Sequence, residues 1–287
     1  MDRYSLLRRL PLRRFREPPP LVNVLRLSGV IGGLGRFRRG LNLASQAQLI
    51  ERAFKTPRLS AVALAINSPG GSPVQSALIG DRIRALAEEK EVPVIAFAED
   101  VAASGGYWLA CAADEIYAHE SSIVGSIGVI SAGFGFPELL SRIGVERRVH
   151  TAGERKAMLD PFRAEVPEDV ERLKTIQTDI HDGFKDYVRA RRGDRLKGEE
   201  EDLFSGEFWT GRRALALGLV DGLGELRQVM RARFGEKVRL RVIDGPRRLR
   251  LPLGFAGGRL AGPDLAASAH ALVEAAEERA LWSRYGL

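Results

Sequence analysis

Residues 92–114 read VPVIAFAEDVAASGGYWLACAAD, and this stretch decides the fold. The run VPVIAFA (92–98) is continuously apolar, as expected of a strand buried on both faces. Small residues follow, and Ser104 stands where a helix is expected to begin, just ahead of GGYWLACAAD. The preceding segment repeats that grammar. SAVALAI (60–66) is a second buried strand and NSPGGS (67–72) a sharp turn. Residues 73–89 fit a helix opening on Pro73, a position where a missing N–H leaves nothing unsatisfied.

Working outward, LVNVLRLSGVI (21–31) alternates like a half-buried strand. A loop rich in glycine and arginine is expected from Gly32 to Gly40, and a helix over 42–55 with Ala47, Ile50 and Phe54 on one face. Downstream, EIYA (115–118), SIGVIS (126–131) and VERRVH (145–150) are expected strands, with a helix at FPELLSRIG (136–144). Beyond Lys156 the pattern turns helical, at 167–192, WTGRRALALGL, ELRQVMRARFG and 264–283. Strands alternating with helices of ten to fifteen residues predict an α/β fold with a largely parallel sheet and a helical segment after Lys156. No internal repeat is present. The expected organisation is a basic arm at 1–20 ended by three prolines, a main domain at 21–243, and a linker and helix at 244–287.

The 287 residues are 45% hydrophobic and 28% charged, a composition that builds a core. The net charge is +7, and the first seventeen residues, with six arginines against Asp2 and Glu17, carry more than half of it. The rest is nearly balanced, which argues against a nucleic-acid-binding surface. Cys111 is the one cysteine and sits in a small-residue run, as a packed core thiol would. No phosphate-binding loop, zinc pattern or metal cluster is found, so no cofactor or metal is expected. No run of about 18 apolar residues exists to span a membrane. The arm, with its leucines and arginines, is expected to make at most weak contact with an anionic membrane surface, and the expected location is cytoplasmic or peripheral.

Ser104, at the start of a helix, has exposed N–H groups and the positive end of a helix dipole beside it. Serine is also a common N-cap, so this alone does not make it a nucleophile. The second glycine turn, NSPGG, changes the balance. In a parallel sheet both turns fall at the same carboxyl edge, where ligands bind. The N–H of Gly105 and that of Gly70 or Gly71 are then candidate oxyanion donors. A serine nucleophile needs a base. His119, His150, His181 and His270 occupy strand ends or helices and read as structural or surface, and the GxSxG pattern is missing around Ser104. A lysine serves only if desolvation lowers its pKa from about 10.4 toward neutrality. Lys156 lies in a turn in TAGERKAMLDPF (151–162), but spacing alone does not single it out.

Taken together, INSPGG (66–71), AASGGYWLACAADEIYA (102–118), GSIGVI (125–130), GERKAMLDPF (153–162) and GLVDGLG (218–224) resemble the bacterial signal peptide peptidase A (SppA) and SohB family of serine peptidases. The motifs occur in the family's order and span roughly residues 21 to 243. The resemblance implies the ClpP/crotonase fold, a spiral of ββα units. It implies Ser104 as nucleophile, Lys156 as general base, and Ser126 as a hydrogen-bond partner that supports the lysine. Arg155 stands where the family often has an aromatic residue. The resemblance further implies a homo-oligomeric ring in which serine and lysine can come from different protomers. The implied substrates are extended apolar peptides, such as signal-peptide remnants or membrane-protein fragments, bound by strand addition. Family members commonly carry an N-terminal membrane anchor, where this sequence has the basic arm. Two other readings remain: a catalytically inactive peptide-holding or scaffold ring, and a crotonase-type acyl-CoA enzyme on the same fold.

Overall fold

The computed structural model describes residues 18–32, 40–244, 275–276 and 278–287. The basic arm up to residue 17, the loop at 33–39, His270 and the first part of the expected C-terminal helix lie outside the described residues.

Three long parallel strands form the centre: β1 (Leu21–Ser28), β2 (Leu59–Ser68) and β3 (Val94–Ala103). Between them run α1 (Leu43–Phe54) and α2 (Pro73–Lys90). Asn42 caps α1 with a reciprocal capping box to Ser45, and Pro73 opens α2 behind the Ser72 cap. The third strand is longer than the apolar run VPVIAFA. It continues through Glu99 and Asp100 to Ala103 because its lower and upper halves pair with different neighbours. Ile95–Ala98 pairs with β4 (Glu115–Ala118), and Val101–Ala103 pairs with β5 (Ile123–Gly125).

The sheet has eight strands and all pairings but one are parallel; the exception joins β5 to β6 (Phe208–Thr210). β7 (Gly222–Leu223) extends β4, and β8 (Arg239–Val242) flanks β1. The expected α/β fold with a largely parallel sheet is therefore present. Alternate residues of the central strands face two cores. Leu25, Leu27, Val62, Leu64 and Ile66 pack beneath α1, α2 and the helices that follow, while Val22, Val24, Ala61, Ala63 and Ala65 pack against Met230. Because one core packs on Leu25 and Leu27 and the other on Val22 and Val24, most of β1 is buried on both faces rather than half-buried, with Arg26 and Ser28 exposed at its end. Even Asn23 is buried, its amide donating to the Ala53 carbonyl at 2.6 Å and to Thr56 Oγ1 at 2.8 Å.

α3 (Gly105–Cys111) follows β3, and α4 (Pro137–Arg142) is a short helix within a long exposed excursion. α5 (Pro167–Arg192) is the longest helix, with Glu168 and Asp169 in its first turn and three arginines in its last, matching its dipole. A 3₁₀ turn (Gly193–Arg195), α6 (Glu200–Leu203), α7 (Gly211–Ala216) and α8 (Leu226–Phe234) complete the body.

Two expected strands are absent. SIGVIS forms no strand; the pairing there belongs to Ile123–Gly125, one step earlier, and the chain leaves the sheet at Ser126 with φ +54°. VERRVH (145–150) is irregular and exposed, its apolar residues finding no sheet partner among the described residues. Of the C-terminal helix, 278–283 is helical and 284–286 forms a turn.

Candidate active site

β2 and β3 end side by side, with Ser68 opposite Ala102, so their following turns meet at one sheet edge. After Ala103 the chain turns sharply at Ser104, which has φ +52° and ψ −121°, a backbone state that a residue with a Cβ rarely adopts. The surroundings hold it there. The Ser104 N–H donates to the Gly125 carbonyl at 2.8 Å, and the Ser104 carbonyl accepts from the Trp108 N–H at 3.0 Å. Ser104 occupies the cap position of α3, yet its hydroxyl makes no capping bond. The capping explanation for this serine therefore fails, and the hydroxyl stays available.

Glycines permit this crowding. A Cβ on Gly70 would lie 2.7 Å from the Ser104 Cβ, and one on Gly106 would lie 2.5 Å from the Ser68 carbonyl oxygen. The candidate oxyanion donors divide. The Gly70 N–H donates to Ser68 Oγ at 3.2 Å, so it is occupied. Among the described residues, the N–H groups of Gly71 and Gly105 have no hydrogen-bond partner.

Ser126 comes to the same place. Gly125, immediately before it, pairs with Ala103, immediately before Ser104. Ser126 is buried, its N–H donates to the Glu207 carbonyl at 2.7 Å, and its hydroxyl lies 3.4 Å from that of Tyr285. One residue on, the Ile127 carbonyl meets His181 Nε2 of α5 at 3.0 Å, which pins the chain beyond Ser126. His181 thus has a structural contact, as its helical position implied.

Lys156 is not brought to these residues within the single chain. It is exposed, in a turn closed by its own N–H on the Gly153 carbonyl at 3.2 Å. Its segment folds on itself: the Phe136 and Phe162 rings sit 5.8 Å apart, Arg147 lies 4.7 Å over Phe162, and Arg147 pairs with Asp160. Ile130, Phe134, Leu139, Ile143 and Val145 on this excursion are half or more exposed.

The frame beneath the site uses residues that motif reading did not single out. Tyr107 is buried and its hydroxyl donates to the Leu219 carbonyl at 2.8 Å, tying SGGY to GLVDGLG. Arg192 is 2% exposed and forms two bonds to Asp221, at 2.8 and 3.0 Å, besides two to the Gly218 carbonyl. Asp221 Oδ2 also accepts from the Ile116 N–H at 2.7 Å, fixing β4. Burial would raise the Asp221 pKa, but the Arg192 guanidinium, the Ile116 N–H and Arg195 outweigh it and hold the carboxyl below the usual aspartate range. Trp108 stacks on Phe184 and Tyr187 of α5, each at 4.8 Å, and Arg191 donates to the Cys111 and Ala113 carbonyls at the end of α3. No local pattern in the sequence records the long-range partners of these last arginines of α5. Burial pushes the Cys111 thiol up to about 12, so it is a core thiol and not a nucleophile. Among the described residues, no cluster of three or more His, Cys, Asp or Glu could hold a metal.

A family model described as peptidase family S49 matches residues 86–238, which include Ser104, Ser126, Lys156 and the Arg192–Asp221 pair. The chain belongs to peptidase family S49. The SppA/SohB-type resemblance of the motifs is thereby borne out, alongside the mostly parallel α/β sheet that the resemblance implied. The chain is 34% identical over 203 residues to the chloroplastic serine protease SPPA of Arabidopsis thaliana, covering 68% of this chain and 30% of that protein. It is 53% identical over 290 residues to a Brucella abortus protein named Na(+)/H(+) antiporter NhaA, covering 99% of this chain but 39% of that protein. This chain thus spans about two fifths of the Brucella relative and under a third of the Arabidopsis one. Among the described residues no helix is long and apolar enough to cross a membrane. A solved structure of the membrane-bound stomatin-specific protease 1510-N overlaps 80% of this chain and 100% of its own, with a TM-score of 0.49 and 14% identity.

Proposed function

We propose that this S49 chain is a serine endopeptidase in which Ser104 attacks a peptide carbonyl and Lys156, as a neutral amine, takes the serine proton. The observation that carries the reading is the strained Ser104, whose hydroxyl makes no capping bond and whose turn meets the NSPGG turn, with the N–H groups of Gly71 and Gly105 lacking a partner among the described residues. Donors held ready for a developing oxyanion are worth about 10²–10³-fold each in rate. The lysine then protonates the leaving amine, and water, activated by the same amine, releases the acyl group. Ser126 supports the amine by a hydrogen bond.

Because Lys156 is exposed on an apolar excursion of the single chain, the reading requires a second copy to cover that excursion and bring a lysine to a neighbour's serine. The substrates are extended apolar peptides, of the kind left by signal peptides or fragmented membrane proteins. The likeness to part of a longer protein named as an antiporter supports work close to a membrane, through peripheral contact by the basic arm.

The test is hydrolysis of a fluorogenic apolar peptide by wild type, Ser104→Ala, Lys156→Ala, and the two mutants refolded together. Both single mutants are expected to lose activity and the mixture to regain part of it. Wild-type activity in either mutant would overturn the dyad.

A further inference from the structure

The third strand does not keep step with the second. From Val62–Val94 to Ile66–Ala98 the paired residues of β2 and β3 are 32 apart in sequence, and at Ser68–Ala102 they are 34 apart. Between those pairs Asn67 alone stands against Glu99, Asp100 and Val101, which makes a bulge in β3. The burial pattern marks the same place, because Glu99 and Asp100 are both exposed where strict alternation would turn one of them inward. The bulge decides what meets the glycine turn. At the upper register Ser104, two residues past Ala102, falls level with Gly70, two past Ser68, and a Cβ on Gly70 would lie 2.7 Å from that of Ser104. At the lower register Ala102 would take that place, and Ser104 would stand about 6–7 Å further along the strand.

Side chains close the bulge from both flanks. Val101 is buried, and its N–H donates to Asn67 Oδ1 at 3.2 Å. Asn67 Nδ2 donates to Asp100 Oδ2 at 2.7 Å, and the Asn67 carbonyl accepts from the Gly29 N–H, just past β1, at 2.9 Å. On the other flank Ser122 is 2% exposed. Its hydroxyl donates to the Glu99 carbonyl at 2.5 Å, lies 3.1 Å from the Ala98 carbonyl, and accepts from the His119 N–H at 3.0 Å. A bulge leaves backbone groups without ladder partners, and a buried one left unpaired destabilises the fold. Asn67 and Ser122 supply those partners.

Resting on the proposed peptidase reading, we propose that Asn67 and Ser122 are positioning residues, whose side chains hold β3 in its two-residue advance and so set Ser104 beside Gly70 and Gly71. Asp100 orients the Asn67 amide. All three act through the placement of the serine rather than on the substrate. The NSPGG turn then has two separate duties: its glycines make room for Ser104, and its asparagine sets the register that brings Ser104 there.

The test uses the full chain and two readouts. One is kcat and KM for a fluorogenic apolar peptide. The other is hydrogen exchange of residues 98–104 in the folded protein, well below its melting temperature. Asn67→Ala and Ser122→Ala are each expected to lower kcat about 10²-fold with KM little changed, as a reacting group misplaced by about 1 Å would. Both should also speed exchange at 98–104 while the lower half of β3 stays protected. Asn67→Asp alone sets two carboxylates against each other and is expected to behave like Asn67→Ala. The double variant Asn67→Asp/Asp100→Asn exchanges donor and acceptor, keeps an oxygen for the Val101 N–H, and is expected to recover most of the lost kcat. Should Asn67→Ala fail to fold, Asp100→Ala carries the same test at an exposed position, with a smaller loss expected. Wild-type kcat and wild-type exchange in the folded variant overturn the inference. Wild type without peptidase activity overturns the peptidase reading instead, and exchange at 98–104 then decides by itself whether Asn67 and Ser122 hold the bulge.

Discussion

Arg192 and Asp221 lock α5 to the GLVDGLG segment through two hydrogen bonds, at 2.8 and 3.0 Å, with the guanidinium 2% exposed. Removing either partner strands the other in a largely buried setting, which costs about 3–5 kcal/mol for a buried pair. Asp221→Asn is therefore expected to lower the urea midpoint at neutral pH clearly below that of wild type. The pH dependence has a definite sign. The Asp221 pKa is held down in the folded state, so its contribution is complete above the unfolded aspartate value of about 3.9 and is lost as pH falls through the lower folded value. The gap between wild type and Asp221→Asn should narrow on acidification below about pH 4. A gap that stays constant from pH 7 to pH 3 would show that the carboxylate's charge is not what matters.

Gly70→Ala tests the crowding around Ser104. The added methyl would lie 2.7 Å from the Ser104 Cβ and 3.0 Å from both the Ala103 carbonyl oxygen and the Gly105 N–H nitrogen, at φ +104°. Something must shift, and a misplacement near 1 Å at a reacting group can cost about 10²-fold in rate. Gly29→Ala is the control, since it has nearly the same φ, +106°, and nothing within 4 Å of the new methyl. Peptidase activity is expected to fall on the order of 10²-fold for Gly70→Ala and to stay near wild type for Gly29→Ala. Equal losses would assign the effect to backbone strain rather than to the serine.

Cys111 provides a check on the class of nucleophile. It is buried at 0% exposure and its thiol is pushed up to about 12, chiefly by burial. The thiolate is the reactive form, so native protein should resist iodoacetamide at pH 8 and keep its activity, with alkylation appearing only in urea. Rapid alkylation of native protein with parallel loss of activity would shift attention from Ser104 to the cysteine.

The parallel sheet and the glycine turns were legible because each rests on local chemistry. Continuous apolar runs at 60–66 and 92–98 leave no choice but strands buried on both faces, and glycines 70, 71, 105 and 106 mark where chain segments touch. The false strands at 126–131 and 145–150 were apolar for another reason. Ser126 has left the sheet, and Ile130, Val145 and Val149 sit on an exposed excursion that packs on itself and joins no core cluster among the described residues. Periodicity reports that a residue needs covering but not what covers it. Tyr285 was illegible for the opposite reason: the contact runs from residue 285 to residues 69 and 126, and no local pattern records it.

The excursion leads to the last expected outcome. Ile130, Phe134, Leu139, Ile143 and Val145 are between 50% and 79% exposed, and Lys156 is on the same segment. Exposed apolar side chains in such number around one segment mark an interaction surface. If a second copy covers them, charging two of them should both dissociate the assembly and separate Lys156 from its serine. The double variant Phe134→Asp/Ile143→Asp is the sharpest form, since these are the two most exposed apart from Ile130 and neither contributes to a core cluster. Sedimentation velocity should show wild type larger than the 31.5 kDa chain and the variant at the mass of one chain. Peptide hydrolysis should fall with the mass, while the melting of the αβ body changes little, because neither position belongs to a core cluster and Phe134 loses only its ring contact with Phe136 on the excursion itself. Retention of both mass and activity would mean that this surface is not what joins the protomers, and that Lys156 reaches Ser104 by a movement within one chain or not at all.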